Sequence, residues 1–357
     1  MFEIDFTSNE PFLLESGEVL PEVKLRATIY GQLNADRSNA VLVFHALTGS
    51  SRVGDWWNGI MCDGCALDTS EFAFVCVNYL GSSYGSTSAA TLRKRRTKGG
   101  KSELPIVTVR DIVKTNVLLL ERIGIRRVRA VVGGSVGGML ALQFAVDYPD
   151  LAERCISIAA TPLSAMGLAL NHLQRQALRK NDLEMARKIA LVSYKSPRQF
   201  GDRFGRKPNR NGEDPGSNLA DRFDIGGYLD HQGDTFRDRF EIESYDLITR
   251  AMDLFDLSDD DICRIRNKVS LVGISSDWLF PAEDVRKLRN RLVRLGVDAE
   301  YHEIESDDGH DAFLSDVAET SRVVREILDP EQTLQDLPRH FWTNKQFSAA
   351  IEVVSCG

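Results

Sequence analysis

The first 160 residues alternate short apolar runs, rich in β-branched and aromatic residues, with longer amphipathic stretches. That alternation is typical of a mostly parallel sheet covered by helices. The predicted strands of this half are 23–30, 40–46, 72–78, 128–133 and 155–159. The last three are almost wholly apolar, as expected for strands buried on both faces. In 108–123 apolar side chains recur near helical spacing and Gly124 follows, which predicts a helix.

The pattern changes between about residues 162 and 260. Strand-like runs disappear, and 165–180 and 182–192 are predicted helices. Residues 205–227 are rich in Gly, Pro, Asn and Asp, which predicts a long loop or mobile linker. The sheet pattern resumes at 269–274 and 299–304, with a predicted helix at 282–295 between them. We therefore predict an α/β core built from 1–161 and 262–330, a helical lid insertion at 162–261, and a C-terminal tail, 331–357, whose structure the pattern does not assign.

Composition narrows the class of protein without identifying it. The chain has 357 residues, of which 43% are hydrophobic and 27% charged, so a sizeable core is expected. Its formal net charge is -8, and we therefore expect no nucleic-acid partner. The basic run 93–96 is predicted to be a solvated loop. No apolar run reaches the roughly 18 residues of a membrane span, and no secretory-signal pattern is visible at the N-terminus.

Cysteine usage suggests a reduced, cytoplasmic setting. The chain has six cysteines, too few at this length for a disulfide framework. Cys62 and Cys65 have redox or zinc spacing, but no second pair of Cys or His accompanies them. We interpret this segment as a loop with two thiols. No metal site, dinucleotide fingerprint or phosphate-binding Walker loop is expected anywhere in the chain.

The most informative segment is Gly-Gly-Ser-Val-Gly at 133–137. It follows an apolar strand and precedes a helix that starts near Met139, the context that a nucleophile elbow of the α/β-hydrolase fold requires. Flanking glycines let the backbone turn sharply, and the helix N-terminus favours negative charge developing near Ser135. The alternative is a glycine-rich turn that binds phosphate. The sequence favours a nucleophilic Ser135.

A serine nucleophile needs a base, and that base needs an orienting acid. In this fold they follow in the order Ser, Asp or Glu, His. Asp277 comes directly after the strand 269–274, and His310 lies on the loop after 299–304. Both are positions where catalytic groups gather in open α/β sheets. The competing acids, none of which follows a core strand as directly, are Asp284, Asp307 and Asp308.

Acyl transfer also needs two backbone N–H donors for the oxyanion of its tetrahedral intermediate. We expect one from Val136, the residue after the nucleophile. The second should come from the loop after the strand 40–46, and we favour Leu47. His45, at the start of that loop, is interpreted as a residue that supports the loop and not as a catalytic group.

Several further stretches resemble the homoserine O-acetyltransferase family of α/β-hydrolase-fold acyltransferases. The resemblance extends from about residue 5 to 325. The matching stretches are 45–50 (HALTGS), 56–59 (WWNG), 107–111 (VTVRD), 133–135 (GGS), 204–206 (FGR), 251–253 (AMD) and 309–313 (GHDAF). The Ser135, Asp277 and His310 set alone would indicate only the α/β-hydrolase fold. The additional stretches, some of them inside the insertion, narrow the prediction to this family of acyltransferases.

The resemblance implies a ping-pong reaction in which Ser135 takes an acyl group from acyl-CoA and passes it to the hydroxyl of homoserine. Acyl-CoA and the hydroxy amino acid would be substrates, with no bound cofactor. Arg206 would bind the substrate carboxylate, with Arg203 as the second choice, and Asp311 would face the substrate ammonium. A guanidinium suits a carboxylate because the two can form paired hydrogen bonds. The family also implies a homodimer, for which the insertion is the candidate interface.

Two departures from the family pattern bear on specificity. Relatives usually have Met where this chain has Val136, and the family's usual loop sequence is replaced at 80–89 by LGSSYGSTSA. The relatives' Asn-Pro is also replaced, near Arg93. Since this region shapes the substrate entrance, the sequence leaves open acetyl or succinyl as the acyl group and homoserine or serine as the acceptor. An esterase or thioesterase with the same three side chains remains the alternative.

Overall fold

The computed structural model describes residues 1–92, 104–209 and 212–328. Its strands are β1 (Phe2–Ser8), β2 (Phe12–Leu13), β3 (Val19–Leu20), β4 (Val23–Tyr30), β5 (Ala40–Phe44), β6 (Met61–Cys62), β7 (Leu67–Asp68), β8 (Ala73–Val77), β9 (Val128–Gly134), β10 (Ala152–Ile158), β11 (Lys268–Ile274) and β12 (Ala299–Ile304). The helices up to β11 are α1 (Val53–Trp56), α2 (Ala89–Leu92), α3 (Val109–Arg122), α4 (Val136–Asp147), α5 (Ala165–Leu178), α6 (Leu183–Tyr194), α7 (Pro197–Arg203), α8 (Asp224–Arg237), α9 (Ile242–Leu254) and α10 (Asp259–Ile262). After β11 come α11 (Ala282–Arg294), α12 (Ala312–Ser315) and α13 (Val317–Leu328).

Eight strands form one sheet in the order β1-β4-β8-β5-β9-β10-β11-β12. The pairs β1–β4 and β4–β8 are antiparallel, and the other neighbours pair in parallel. The predicted fold class, a mostly parallel sheet covered by helices, is therefore confirmed. The sheet brings the C-terminal ends of β5, β9 and β11 to the same edge, and the chain segments that leave this edge build the site.

The sequence explains why the central elements form where they do. Every residue of β5 and β8 is buried, which explains their continuous apolar runs. Helix α3 begins with a capping box, because Thr108 and Asp111 satisfy each other's backbone N–H groups. Strand β1 was not predicted. It is a half-exposed antiparallel edge strand, so its sequence lacks a continuous apolar run.

Helices α5 to α10 lie in the chain between β10 and β11, although these two strands pair directly in the sheet. We call 162–261 the lid segment. The predicted loop at 205–227 is wrong for its last residues, because α8 begins at Asp224. Two of the glycines that suggested a loop, Gly226 and Gly227, lie within this helix, and a Cβ at Gly227 would come within 2.9 Å of the Asn209 side chain. Pro208 and Phe223 also form an isolated bridge.

Cys62 and Cys65 form a disulfide, so the interpretation of this loop as two free thiols is wrong. The tight turn between β6 and β7 brings their Cα atoms to 5.1 Å, within the usual span of a disulfide. The basic run 93–96 and the tail 331–357 lie outside the described residues. Within the described ranges, no helix is both long enough and apolar enough to cross a membrane.

Candidate active site

Ser135 occupies the sharp turn between β9 and α4. Its φ of 60° and ψ of -126° are unfavourable for a residue with a side chain, and such strain is typical of functional sites. Glycine is required on either side. A Cβ at Gly133 would lie 2.4 Å from the carbonyl oxygen of Gly137, and a Cβ at Gly137 would lie 2.3 Å from that of Phe44. This close packing holds the sharp turn that places Ser135 at the C-terminal edge of the sheet, the position expected for a nucleophile elbow.

The three side chains predicted to act together are in contact. His310 Nε2 lies 2.8 Å from Ser135 Oγ, and His310 Nδ1 lies 2.6 Å from Asp277 Oδ2. All three residues are buried. Because a carboxylate can only accept, Nδ1 carries the proton and Nε2 is left to accept from the serine hydroxyl. The arrangement can remove a proton from Ser135.

Asp277 is fixed by the chain that follows β11. Its Oδ1 accepts the backbone N–H groups of Leu279 and Phe280 at 2.8 and 3.0 Å, which leaves Oδ2 for the histidine. The competing acids face elsewhere: Asp284 binds Lys287, Asp307 binds Arg198, and Asp308 binds Gln199 and Ser315. Asp277 is the one of these four acids whose contact with His310 the structure records.

His310 lies among the rings of Tyr194, Phe280 and Phe313, with centroids 5.2 to 5.7 Å from its own. Burial is the largest influence on its pKa and would lower it. The negative charge and hydrogen bond of Asp277, with a smaller contribution from Asp311, outweigh burial, so the pKa of His310 is raised. The imidazole is therefore a stronger base than an ordinary histidine.

The two residues predicted to donate N–H groups to the oxyanion, Val136 and Leu47, lie on segments of the chain that pack against each other. Val136 is the first residue of α4, where a backbone N–H has no acceptor inside the helix. The carbonyl carbon of Phe44 and the carbonyl oxygen of His45 lie within 3.0 Å of where a Cβ on Gly137 would be, so the loop that carries Leu47 packs against this first turn.

His45 supports that loop. Its ring stacks on Tyr79 at 3.6 Å, and the Tyr79 hydroxyl donates to the His45 carbonyl at 2.5 Å. Burial lowers the pKa of His45 to about 4, with a hydrogen bond to the Ala46 carbonyl opposing this change, so the ring is neutral near pH 7. The contacts agree with a structural role for His45.

The lid segment packs directly on the loop that carries His310. A Cβ at Gly309 would lie 2.5 Å from the backbone nitrogen of Ser196, and Gly309 has a φ of 73°. Trp278, next to the predicted acid, donates its indole N–H to the carbonyl of Lys195 at 3.1 Å. The residues flanking both His310 and Asp277 therefore contact the same stretch between α6 and α7.

Asp311, predicted to face a substrate ammonium, is buried and already has a cationic partner. Lys195 Nζ lies 3.0 Å from its Oδ2, and both side chains are almost fully buried. Burial, the largest influence, would lower the pKa of Lys195, but the charge and hydrogen bond of Asp311 outweigh it and raise the pKa. Sequence reasoning missed Lys195, because a lone lysine just after a predicted helix gives no sign of burial.

The two candidate arginines for a substrate carboxylate lie at different places. Arg206 is exposed and its guanidinium covers the ring of Phe223 at 5.3 Å. Arg203, also exposed, covers the ring of Tyr228 at 4.8 Å. Tyr228 is one of the groups whose charge raises the pKa of Lys195, and Lys195 pairs with Asp311, the residue next to His310. Arg203 thus contacts a ring that influences Lys195 electrostatically, whereas the ring contact recorded for Arg206 is with Phe223.

The elbow, the buried Ser-His-Asp contact and the sheet order together define an α/β-hydrolase-fold protein. A sequence-family model described as alpha/beta hydrolase fold matches residues 39–317. The structure is also similar to that of an esterase, E22, with a TM-score of 0.80 at 22% identity, over 92% of this chain and 100% of that one. At that identity the likeness shows the fold alone.

Sequence similarity defines the family more narrowly. The chain is 37% identical over 346 residues to a homoserine O-acetyltransferase of Caulobacter vibrioides, covering 87% of this chain and 90% of that protein. It therefore belongs to the homoserine O-acetyltransferase family, as the sequence motifs suggested. The crystal structure of the Bacillus anthracis homoserine O-acetyltransferase matches with a TM-score of 0.80 at 22% identity, over 92% of this chain and 97% of that one.

Proposed function

We propose that this protein transfers an acetyl group from acetyl-CoA to the side-chain hydroxyl of L-homoserine, forming O-acetyl-L-homoserine and CoA for methionine biosynthesis. Its membership of the homoserine O-acetyltransferase family supports the substrates. The observation that carries the mechanism is the short, buried contact of His310 with both Ser135 and Asp277. No bound cofactor is needed for this reaction, because the acyl group arrives as a thioester.

The reaction would run in two half-reactions. His310 Nε2 takes the proton of Ser135 as Oγ attacks the thioester carbonyl, and the N–H groups of Leu47 and Val136 stabilise the oxyanion. The C–S bond breaks, and CoA leaves with the proton that His310 returns. The homoserine hydroxyl then attacks the acyl-serine while His310 accepts its proton and hands it back to Ser135. Asp277 holds the imidazole and stabilises its positive charge in both halves.

We propose that the acceptor amino acid binds near Asp311 and Arg203, with Arg206 as the alternative. Asp311 would receive the ammonium group. Its Oδ2 is already bound to Lys195, so the substrate ammonium would use Oδ1 or displace the lysine. The substrate carboxylate would bind Arg203, because Arg203 and Lys195 both lie near Tyr228. Arg206, the alternative, is exposed and lies over the ring of Phe223.

We also propose that the protein acts in the cytoplasm as a homodimer whose interface involves the lid. Helices α5 and α6 expose several large apolar side chains, which supports this choice: Met166, Leu168, Leu173, Met185 and Val192. Sedimentation of the wild-type chain and of Leu173→Asp tests the interface. A dimer that becomes monomeric in the variant is expected, and a wild-type monomer would contradict the proposal.

CoA release with and without L-homoserine tests the proposed function. We expect fast release with acetyl-CoA plus homoserine, and slow release once Ser135 is acylated if no acceptor is present. Ser135→Ala should abolish steady release, whereas Ser38→Ala, on an exposed loop, should retain it. Equal steady rates with and without homoserine would mean a thioesterase. A preference for succinyl-CoA over acetyl-CoA would change the proposed acyl donor, and a preference for L-serine over L-homoserine would change the proposed acceptor.

A further inference from the structure

Two arginines of the lid, the buried Arg187 and the half-buried Arg239, carry positive charge for which the structure records no carboxylate partner within the described residues. Arg187 lies on α6 and is 5% exposed, and its Nε has no hydrogen-bond partner in the described part of the chain. The Nε of Arg239 is likewise buried without a partner there. Buried charges are normally paired, because an unpaired one loses its hydration without compensation.

The two guanidinium groups share one neighbour. They lie 5.0 and 5.1 Å from the ring of Phe236. Burial is the main reason that the pKa of Arg239 is lowered, and the positive charge of Arg187 adds to it. Arg175, a half-buried arginine of the same lid, differs from these two because it binds a carboxylate, that of Asp253, although its Nη1 is also buried without a partner in the described chain. The ring of Phe236 stabilises the two cations but does not neutralise their charge.

Both arginines are close to the candidate catalytic groups. The guanidinium of Arg187 lies 5.8 Å from the centre of the Tyr194 ring, which is itself 5.7 Å from the ring of His310. Arg239 donates to the carbonyl of Thr48 at 3.1 Å, on the loop that carries Leu47. It also donates at 2.7 Å to the hydroxyl of Tyr84, inside the segment 80–89 that departs from the family pattern.

We propose that Arg187 and Arg239 form a second anionic subsite, which binds a carboxylate of a substrate while that substrate reacts at Ser135. This inference rests on the proposed acyl transfer. A carboxylate suits the pair because a guanidinium binds it through paired hydrogen bonds. The phosphates of CoA do not suit it, because the pantetheine arm separates them from the thioester at Ser135. The carboxylate is therefore either the distal one of a dicarboxylic acyl group such as succinyl or that of the acceptor amino acid, in which case Arg187 and Arg239 take the place of the contact with Arg203 proposed above.

Matched substrates with and without the carboxylate test this subsite. Succinyl-CoA is compared with acetyl-CoA for acylation, and L-homoserine with 3-aminopropan-1-ol, which lacks only the carboxylate, for deacylation. For each pair we compare kcat/KM of the substrate that has the carboxylate with kcat/KM of the one that lacks it. We expect Arg187→Met to lower this ratio roughly 10- to 100-fold in one of the two pairs, the loss typical of a charge-assisted hydrogen bond. Arg187→Lys should restore part of it. Arg179→Met, on the exposed end of α5, should leave both ratios as in the wild type.

Which pair responds identifies the source of the carboxylate. A change in the acceptor pair assigns the subsite to the amino acid, and a change in the donor pair assigns it to a dicarboxylic acyl group. Unchanged ratios in both pairs, in a variant that melts like the wild type, would overturn the proposal and leave Arg187 a structural residue.

The subsite can also be tested if the proposed function fails. Should neither thioester acylate the wild-type protein, succinate and L-homoserine serve as probes of thermal stability, with 3-aminopropan-1-ol as the neutral control. An increase in the melting temperature that is present in the wild type and lost in Arg187→Met would support the subsite. The same increase in both proteins, or none in the wild type, would overturn it.

Discussion

Polar groups are partnered differently at the C-terminal edge of the sheet and at the lid seam, the region where the lid segment faces the loops that carry His310 and Leu47. At the edge, the hydroxyl of Ser135, the imidazole of His310 and the carboxylate of Asp277 all have hydrogen-bond partners in one buried row. At the seam, Lys195 has a partner, but Arg187 and Arg239 keep buried nitrogens without one in the described chain. The core thus has its proton-transfer groups in place before substrate arrives. The lid carries two arginines that, under the inference above, gain an anionic partner only when the substrate binds.

The largest effect is expected at the edge. Asp277→Asn should lower kcat on the order of 10³- to 10⁴-fold with little change in fold, because the imidazole loses its orientation and the charge that stabilises its protonated form. Asp284→Asn is the matched control, since Asp284 binds only Lys287 among the contacts the structure records. Steady-state CoA release measures both variants. Comparable activities in the two would show that Asp277 is not the orienting acid.

At the seam, the buried pair between Lys195 and Asp311 should matter for stability first. Lys195→Met leaves the Asp311 carboxylate buried without its cation, and should lower the free energy of unfolding by about 3 kcal/mol. Denaturant unfolding measures this change. Adding the second substitution, Asp311→Asn, should recover much of the loss. If the double variant were no more stable than Lys195→Met, the uncompensated charge would not be the cause.

The elbow itself should tolerate no added carbon atom. Gly137→Ala places a Cβ 2.3 Å from the carbonyl oxygen of Phe44, so a loss of roughly 1–3 kcal/mol in stability, and a loss of activity, are expected. Gly201→Ala is the control in α7, where a Cβ meets nothing within 4 Å. Thermal melting should show the first destabilised and the second unchanged or slightly stabilised. Equal melting temperatures would contradict the close packing described for the elbow.

The smallest effect is on pH dependence. His310 must be unprotonated to act as a base, so the rate of acylation should fall as the pH drops through its pKa, with a midpoint above the ordinary value of 6.5. The negative charge of Asp311 helps to raise that pKa, so Asp311→Asn should move the midpoint to lower pH. Single-turnover acylation by acetyl-CoA across pH measures it. A midpoint that stays in place or rises would contradict the electrostatic role of Asp311.

The sequence predicted the edge far better than the seam. Strands such as Val23–Tyr30 and Ala299–Ile304 were predicted to the residue, because the residues that form and end a strand are neighbours in the sequence. Ser135, Asp277 and His310 could be named because the fold places its catalytic groups in a fixed order at strand ends. Lys195, Arg187 and Arg239 could not, since their burial depends on packing between distant segments. The covalent pairing of Cys62 with Cys65 was missed because their spacing alone did not favour it.

The central claim is that Ser135 carries the acyl group between two half-reactions. It is tested most directly by mixing the protein with acetyl-CoA alone, quenching, and mapping the acetylated peptide by mass spectrometry. We predict an acetyl group on Ser135 that disappears when L-homoserine is added, with O-acetylhomoserine formed in equal amount. Product that forms only when both substrates are present, with no acetyl group ever found on Ser135, would contradict the account.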